Sequence, residues 1–404
     1  MLAGFFADLH IHIGRTKEGF PVKVTAARSQ TLRLVLEEAV SRKGLDFVGI
    51  VDAACPRVCR ELEEMVAEGE LRELPGGGLR WRESLTVIPG AEVEVTEEGG
   101  CSAHWLGYFP GLKELRSFSE FLAERVANPE LSTQCCRLPA RLLLPEVLAR
   151  SGIFMPAHAF TPHKGVYGQC TARLEPLLGK RCFQKISALE LGLSADTALA
   201  DRLEELGGIS YLSNSDAHSL KNLGREYNLL LLEEPDWSEL NKALQGREGR
   251  RIAANYGLDP RLGKYHRTFC LSCGRIAGEP YPVIACSACG SSHVVKGVLD
   301  RIWEIQDRET PLHPPMRPPY YHQVPLLFLP GVGPKTVSRL LERFGTEIDV
   351  LHRVAFKELV DAVGERTATL IQQARLGKLA IAAGGGGIYG RVSLVRSEKG
   401  EGRL

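Results

Sequence analysis

The stretch Asp8-Leu-His10-Ile-His12 ends an apolar run that begins near residue 4, and it decides how the first part of the chain folds. The run 4–12 has the composition of a buried strand. Residues at i and i+2 of a strand lie on the same face, so His10 and His12 are expected to point in one direction. Two imidazoles placed in this way can bind a common metal cluster.

Apolar runs and helix-like stretches alternate from residue 3 to about residue 218. A helix is expected at 31–43, ending at Gly44. This alternation predicts an α/β fold with a largely parallel sheet, and six or seven such units favour a distorted βα barrel over an open sheet. The expected strands after the first are 46–53, 85–95, 103–109, 153–158, 186–191 and 209–213.

Further metal-ligating residue types fall at the ends of these strands. They are Asp52, Glu92, His104, His158, Asp216 and His218. Active sites of βα barrels lie at one rim, so we expect these side chains to converge with His10 and His12. Imidazole and carboxylate together suit Zn²⁺, Mn²⁺ or a mixed cluster. His163 is equally compatible with a rim residue and with a surface residue.

A metal cluster of this kind favours hydrolysis of a phosphoester. Bound metal lowers the pKa of water toward ~7, and two ions can stabilise both the attacking and the leaving oxygen. Asp216, Glu92 and His158 are the candidate catalytic residues. We expect two or three catalytic divalent ions, which could be zinc, manganese or magnesium.

Two CxxC pairs follow the predicted barrel, Cys270 with Cys273 and Cys286 with Cys289, and twelve residues separate the pairs. This spacing predicts a zinc ribbon in which four thiolates hold one structural zinc ion. Such a site stabilises a small unit and does not by itself indicate DNA binding.

An internal repeat lies near the carboxyl end, where 329–336 and 360–367 align at a spacing of 31 residues. In the first copy, Gly331 and Gly333 allow a tight turn before a helix whose amino end can accept a phosphate. Lys335 and Thr336 can add contacts to the DNA backbone. The first copy is similar to a helix-hairpin-helix motif, whereas Ala362 replaces the first glycine in the second copy. The alternative is a structural or protein-binding helical pair.

These features divide the chain into a barrel at 1–265, a zinc ribbon at 266–300, a proline-rich linker at 301–323 and a helix-hairpin-helix domain at 324–404. The glycine run 384–387 is expected to belong to a flexible tail. The segment 323–328 superficially resembles a sliding-clamp peptide. We expect it to pack in the core, with clamp binding as the alternative.

The formal net charge of +1 conceals two unlike halves. Residues 1–265 contain 32 basic and 36 acidic residues, whereas 266–404 contain 18 and 13. The basic half is compatible with a nucleic-acid partner. The first twelve residues contain Asp8 and His10, which excludes a secretory signal there, and we expect a cytoplasmic protein without membrane contact.

Several motifs resemble those of the PHP (polymerase and histidinol phosphatase) superfamily, namely 8–12, 89–92, 156–158 and 213–218. The resemblance implies a metal-dependent barrel whose ligands are His10, His12, Glu92, His104, His158, Asp216 and His218. Ala53 stands where most of the superfamily has a histidine that binds a third metal. Asp52 or Cys55 could compensate for it.

A PHP barrel, a four-cysteine ribbon and a tandem helix-hairpin-helix, in this order, resemble the endonuclease Q family. The resemblance implies a DNA repair endonuclease that cuts 5′ to a deaminated base (uracil, hypoxanthine or xanthine) or to an abasic site. Two alternatives stay open. A small-molecule phosphatase would use the same barrel, and a non-catalytic DNA-binding scaffold would need only the carboxyl-terminal units.

Overall fold

The computed structural model describes residues 1–278 and 280–393, so Glu279 and residues 394–404 of the predicted last domain lie outside the described residues. The strands are β1 (Ala3–Ile11), β2 (Phe47–Ile50), β3 (Leu71–Glu73), β4 (Leu79–Trp81), β5 (Leu85–Thr96), β6 (Ser102–Tyr108), β7 (Cys135–Cys136), β8 (Ile153–Pro156), β9 (Ala188–Glu190), β10 (Ser210–Leu212), β11 (Tyr227–Leu232), β12 (Arg251–Gly257), β13 (Phe269–Cys270), β14 (Val294–Val295), β15 (Tyr320–His322), β16 (Ala380–Ala382) and β17 (Arg391–Ser393).

The α-helices connect these strands or follow them. They are α1 (Leu32–Glu38), α2 (Pro56–Ala67), α3 (Leu112–Ala123), α4 (Ala140–Leu148), α5 (Leu174–Leu178), α6 (Lys180–Phe183), α7 (Thr197–Ala200), α8 (Trp237–Leu244), α9 (Val298–Ile305), α10 (Pro334–Phe344), α11 (Glu347–His352), α12 (Phe356–Val363) and α13 (Glu365–Arg375). Short π- or 3-10 turns lie at Ala39–Lys43, Val166–Cys170, Glu204–Gly208, Leu220–Asn222, Pro260–Leu262 and Leu326–Phe328. No helix among the described residues is long and apolar enough to span a lipid bilayer.

The strands form a distorted α/β barrel, as expected. β1, β2 and β5 pair in parallel at its centre, and β9 pairs in parallel with β10. β6 pairs with both β5 and β8, while β11 and β12 extend the sheet on the other side of β1. Apolar side chains of the strands and of the surrounding helices form the main core.

The prediction of a largely parallel sheet is wrong for β6, β8, β11 and β12. β6 is antiparallel to β5 and β8, and β11 is antiparallel to β1 and β12. Only residues 97–101 separate β5 from β6, which is too short for the crossover that a parallel pair requires. As a result His104, near the start of β6, lies opposite Glu94 near the end of β5 and reaches the same rim.

The segment 301–323, expected to be a linker, contains regular structure that packs on the barrel. Helix α9 runs into it and buries Val298, Ile302 and Ile305 in the barrel core. β15 adds to the sheet as a parallel neighbour of β12. Proline marks an extended path, and here that path follows the surface of the barrel.

The helical domain is joined to the barrel by buried contacts. Lys43 at the end of the first helical segment donates to Glu347 of α11, with 2.6 Å between Nζ and Oε1, and both side chains are nearly inaccessible to solvent. The ring of His352 stacks on Phe6, and its Nε2 lies 2.6 Å from the hydroxyl of Tyr227.

Candidate active site

His10 and His12 lie at the end of β1, fully buried and on one face, as the alternation of the strand requires. Their Nε2 atoms are 3.2 Å apart. Asp216 Oδ1 is 3.5 Å from His10 Nε2 and 3.4 Å from His12 Nε2. The two oxygens of Glu92 complete the group, each 3.5 Å from one of these nitrogens.

These separations are those of ligands that share one ion. Tetrahedral zinc with bonds of about 2.0–2.1 Å places its ligand atoms about 3.3 Å from one another. Two imidazole nitrogens that face each other at 3.2 Å also gain a common partner when a cation lies between them. The donor set of His10, His12, Glu92 and Asp216 therefore fits a divalent metal.

The other ring nitrogens of the two histidines are held by carboxylates. His10 Nδ1 lies 2.9 Å from Glu190 Oε2, and His12 Nδ1 lies 2.9 Å from Asp52 Oδ1. Such contacts fix the tautomer and direct Nε2 toward the other atoms of the ligand group. Burial lowers the pKa of His10, but Glu190 and Asp216 outweigh it and raise the pKa to about 10. The pocket thus attracts positive charge.

Glu92 also belongs to a second group of ligand atoms with His104 and His158. His104 Nδ1 lies 3.0 Å from Glu92 Oε1, and His158 Nε2 lies 3.5 Å from the same oxygen. Burial raises the pKa of Glu92, but His104 and Lys23 more than offset it and hold the pKa well below its usual range. An ionised carboxylate shared by two groups is suited to bridge two ions.

His218 forms a third, overlapping group with His12 and Asp216. Its Nδ1 lies 3.0 Å from the carbonyl oxygen of Asp216. Burial and the neighbouring His12 lower the pKa of His218 to about 4, so the ring is neutral at physiological pH. Desolvation raises the pKa of Asp216, but His10 and His12 keep it well below its usual range.

Three residues around the centre have left-handed backbone conformations that are unfavourable for L-amino acids. The φ angles are +27° at His158, +46° at Asp216 and +52° at Thr133. For the β-branched Thr133 this conformation is a genuine outlier. Strain of this kind persists where surrounding contacts fix the backbone, and it clusters at functional sites.

Neither residue expected to compensate for Ala53 is placed as a ligand. Asp52 belongs to none of the ligand groups formed by the described residues, because its carboxylate bonds His12 Nδ1, the amide of Ile13 and the hydroxyl of Ser132. Asp52, which we expected to be a ligand, thus holds the ring of His12 in this structure. Cys55 is buried, which raises the pKa of its thiol well above the usual value and keeps it protonated.

A cavity of about 380 Å³ adjoins the ligand groups. It is lined by His158, Asp216 and His218 of the ligand groups and by Lys264, Tyr265 and Tyr389. His163 also lines the cavity and contacts Tyr265 edge-to-face, which makes it a rim residue outside the ligand groups.

Tyr389 reaches this cavity because the glycine run before it docks on the barrel, which contradicts the predicted flexible tail. The amides of Gly384 and Gly390 donate to the carbonyls of Arg261 and Leu262. Gly386 has φ +62°, and a Cβ there would lie 2.3 Å from the ring of Phe269. The docked partner lies more than a hundred residues earlier in the chain, so local composition could not reveal it.

The four cysteines form the expected cluster, with their sulfurs within 4.8 Å of one another. They fit a tetrahedral zinc ion with four thiolate ligands. The short strands β13 and β14 pair beside the cluster. A disulfide elsewhere, Cys101 to Cys170, ties the β5–β6 turn to the loop after His158.

The first hairpin turn is open to solvent. Gly331 has φ +80°, Gly333 precedes the first residue of α10, and a Cβ at either glycine would meet open space. Lys335 is exposed and Thr336 is half-buried in the first turn of α10. By contrast, Gln323 and Leu326 of the clamp-like segment are buried, so this segment packs in the core of the chain itself.

Sequence reasoning missed two residues that contact the centre. Glu190 could have been noticed as the single charge in the apolar run 186–193. Lys23 has no such signal, yet its Nζ lies 2.8 Å from Glu92 Oε2.

The chain is 45% identical over 396 residues to the uncharacterized protein YqxK of Bacillus subtilis (strain 168), covering 96% of this chain and 98% of that protein. The crystal structure of the lesion-specific endonuclease PfuEndoQ from Pyrococcus furiosus matches with a TM-score of 0.83 and 32% identity, over 98% of this chain and 96% of that one. A crystal structure of endonuclease Q with a 27-mer duplex substrate that has an abasic lesion at the active site matches with a TM-score of 0.82 and 32% identity, over 98% and 97%. No protein-family model matches the chain.

The likeness to the two solved endonuclease Q structures extends over the barrel, the cysteine cluster and the helical domain at more than 30% identity. This chain therefore belongs to the endonuclease Q family.

Proposed function

We propose that this chain is a DNA repair endonuclease that hydrolyses the phosphodiester 5′ to a deaminated base (uracil, hypoxanthine or xanthine) or to an abasic site. One observation carries the proposal: His158, Asp216 and His218 of the ligand groups line a cavity that is also lined by Tyr389, from the segment after the helical domain. The solved relatives, one a lesion-specific endonuclease and one bound to an abasic duplex, support the same class of substrate.

In this proposal His10, His12, Glu92 and Asp216 hold one divalent ion, and Glu92, His104 and His158 hold a second. The ions are zinc, manganese or magnesium. When bound, they supply an activated water and stabilise charge on the phosphodiester oxygens. Asp216, Glu92 and His158 are the catalytic residues because they belong to the ligand groups and lie in or beside the cavity.

The chain itself orients these ligands and the substrate. Glu190 and Asp52 fix the rings of His10 and His12, so that little reorganisation is required when the reaction begins. The cations of Arg225 and Lys264 line the cavity and attract the phosphates that flank a lesion. His218 presents a neutral ring at the same wall.

We further propose that the cavity receives the damaged nucleotide. The altered edge of a deaminated base is paired in the duplex, so reading it requires extrusion from the stack. The volume of about 380 Å³ lies within the range of small-molecule sites, about 300–1,000 Å³. The rings of Tyr265 and Tyr389 offer surfaces on which a base can stack.

The carboxyl-terminal units hold the DNA. Backbone amides at Gly331 and Gly333, with Lys335 and Thr336 in the first turn of α10, bind a phosphate without reading sequence. The four-cysteine zinc stabilises the ribbon at 266–300. We retain the barrel at 1–265 and the helical domain from 324, and assign α9 and β15 to the connection between them.

A panel of oligonucleotide duplexes tests this proposal. Each duplex contains one deoxyuridine, deoxyinosine, deoxyxanthosine or abasic site, or is undamaged, and is incubated with Mg²⁺, Mn²⁺ or Zn²⁺. Strand cleavage confined to the damaged duplexes is the expected result. Turnover of histidinol phosphate with all duplexes intact would instead favour the small-molecule phosphatase.

A further inference from the structure

A second and larger cavity, of about 910 Å³, lies at the opposite end of the barrel strands from the ligand groups. Ile153 and Ser210, the first residues of β8 and β10, line it, whereas His158 and Asp216 follow the other ends of these strands. We call this cavity the amino-end groove. Its lining comes from the segments 148–153, 184–187, 207–210, 241–252 and 314–318.

The amino-end groove has an apolar lining that is partly open to solvent. Ile153 and Ile252 are almost covered by the chain, with exposed fractions of 6% and 4%. Leu148 and Met316 line the same groove and are 36% and 70% exposed. Exposed apolar residues with polar neighbours mark interaction sites, and the flexible side chain of methionine adapts to the shape of a partner. The groove therefore suits aliphatic side chains of a ligand.

The charged side chains of the groove are all basic. Lys185, Arg247 and Arg251 line it and are exposed, and the described residues of the lining include no aspartate or glutamate. None of these three cations forms an ion pair with a carboxylate of the described part of the chain. Glu248, the neighbour of Arg247, pairs with Lys242 instead. The groove thus presents positive charge that the chain itself does not neutralise.

A fourth cation, Arg317, fixes the proline-rich part of the lining. Its Nη2 lies 2.9 Å from Asp201 Oδ1 and donates to the carbonyl of Leu206 at 2.9 Å, and only 5% of its side chain is exposed. The flanking Pro315 and Pro318 have backbone φ angles restricted by their rings. The groove is therefore formed before a ligand arrives, which reduces the cost of ordering it on binding.

The composition of the groove distinguishes among anionic ligands. The described residues of its lining include no aromatic ring on which a nucleic-acid base could stack. A free phosphate would contact the cations but leave the apolar lining uncovered. The volume lies near the upper end of the range of small-molecule sites, about 300–1,000 Å³. A peptide in extended conformation can present carboxylates and aliphatic side chains along one chain, and it therefore matches both features.

We propose that the amino-end groove binds an acidic peptide segment of a partner protein. Aliphatic side chains of that segment pack on Leu148 and Met316, and its carboxylates pair with Lys185, Arg247 and Arg251. This partner leaves the ligand groups free, because they lie at the other end of the strands. The inference goes beyond the proposed function and does not depend on it.

Selection from a random dodecapeptide library displayed on phage tests the proposal on the full chain. Wild type and the variant Arg247→Glu/Arg251→Glu serve as the two targets. Peptides that combine aspartate or glutamate with leucine or isoleucine should be enriched on wild type and lost on the variant. Equal enrichment on both targets, enrichment of basic or aromatic peptides, or no enrichment would overturn the proposal.

The affinity of a selected peptide, labelled with a fluorophore and measured by anisotropy, tests the role of the charges. Arg247→Glu/Arg251→Glu should weaken binding at least about tenfold, because two attractions become repulsions. Arg60→Glu/Lys113→Glu reverses two exposed residues of α2 and α3 outside the groove and should bind as wild type. Equal losses in both folded variants, or full displacement by inorganic phosphate at equal ionic strength, would contradict a peptide site.

The same two variants distinguish a peptide groove from a DNA contact. An undamaged duplex should bind both variants as tightly as wild type, and damaged duplexes should be cleaved at the wild-type rate. Weaker duplex binding by Arg247→Glu/Arg251→Glu alone would identify the groove as a contact for flanking DNA. That result would overturn the peptide proposal and leave the proposed endonuclease intact.

Discussion

The hydroxyl of Tyr389 accepts a hydrogen bond from Arg225 Nη1 at 2.7 Å, which joins the end of the chain to the wall of the barrel cavity. Lys264 Nζ lies 5.2 Å from the centre of the same ring. The docked glycine run therefore places Tyr389 in the lining of the cavity beside the ligand groups.

Replacing Tyr389 should slow cleavage at lesions that keep a base more than cleavage at abasic sites. Stacking of a base on an aromatic ring contributes about 1–3 kcal/mol, so Tyr389→Ala should slow cleavage at deoxyuridine and deoxyinosine about 5- to 150-fold. Cleavage at an abasic site, which has no base to stack, should change little. Single-turnover rates on matched duplexes measure both effects.

Two controls accompany that comparison. Tyr389→Phe keeps the ring and should retain most of the activity at base lesions, whereas Ile388→Ala alters an exposed neighbour in the same loop and should behave as wild type. An equal loss at abasic and base-containing sites would show that Tyr389 only maintains the loop.

Asp52 should act on metal binding through His12. The Asp52→Asn variant loses the charge that holds Nδ1 of His12, and we expect the barrel ions to bind about 10- to 100-fold more weakly. Titration calorimetry on the metal-free chain measures this directly. Asp361→Asn, at an exposed position of α12, is the matched control, and equal affinities in the two variants would contradict the positioning role.

The buried carboxyl of Glu226 should make the folding stability depend on pH. Its carboxyl is buried, Oε1 accepts from the amide of Leu258, and burial raises its pKa from 4.5 to about 8. The folded chain keeps a proton that the unfolded chain releases, so this group's contribution is fully present below about pH 4.5 and is lost as pH rises through about 8.

The Glu226→Gln variant removes this titration. Its melting temperature relative to wild type should therefore rise between pH 5 and pH 9, because only the wild type meets the growing cost of ionising a buried carboxyl. Glu124→Gln, at an exposed carboxylate, should show no such trend. If the difference in melting temperature between Glu226→Gln and wild type stayed constant from pH 5 to pH 9, the raised pKa of Glu226 would be contradicted.

The effects of Lys43 and Glu347 on the free energy of unfolding should depend on each other. Removing one partner leaves an uncompensated buried charge, and Glu347→Ala should lower the free energy of unfolding by about 3–5 kcal/mol. Adding Lys43→Met to this variant should recover part of the loss. Urea unfolding of both single variants and the double variant measures the coupling, and additive losses would contradict it.

Most residues of the candidate centre could be predicted from the sequence, because they alternate along a strand or lie at the ends of apolar runs. His10 and His12 alternate on one strand, and Glu92, His158 and Asp216 follow apolar runs that form strands or their ends. The composition of the strands did not indicate that β6 runs antiparallel to β5. That direction follows from the short turn between them. His104 reaches the rim in either case.

Residues that act through contacts distant in the sequence were harder to find. Lys23 meets Glu92 across 69 positions, and Tyr389 meets Arg225 across 164. Asp52 illustrates the opposite difficulty, since a carboxylate at a strand end has the same composition whether it binds a metal or holds a histidine. Only the three-dimensional arrangement distinguishes these roles.

The central claim is metal-dependent cleavage on the 5′ side of a lesion, and the position of the nick tests it most directly. A duplex labelled at its 5′ end and containing one deoxyuridine or abasic site is incubated with the chain and a divalent ion. We predict a labelled product that ends in a 3′-hydroxyl at the nucleotide before the lesion, and no product with Asp216→Asn folded as wild type. Cleavage on the 3′ side, or an unchanged nick with Asp216→Asn, would contradict the account.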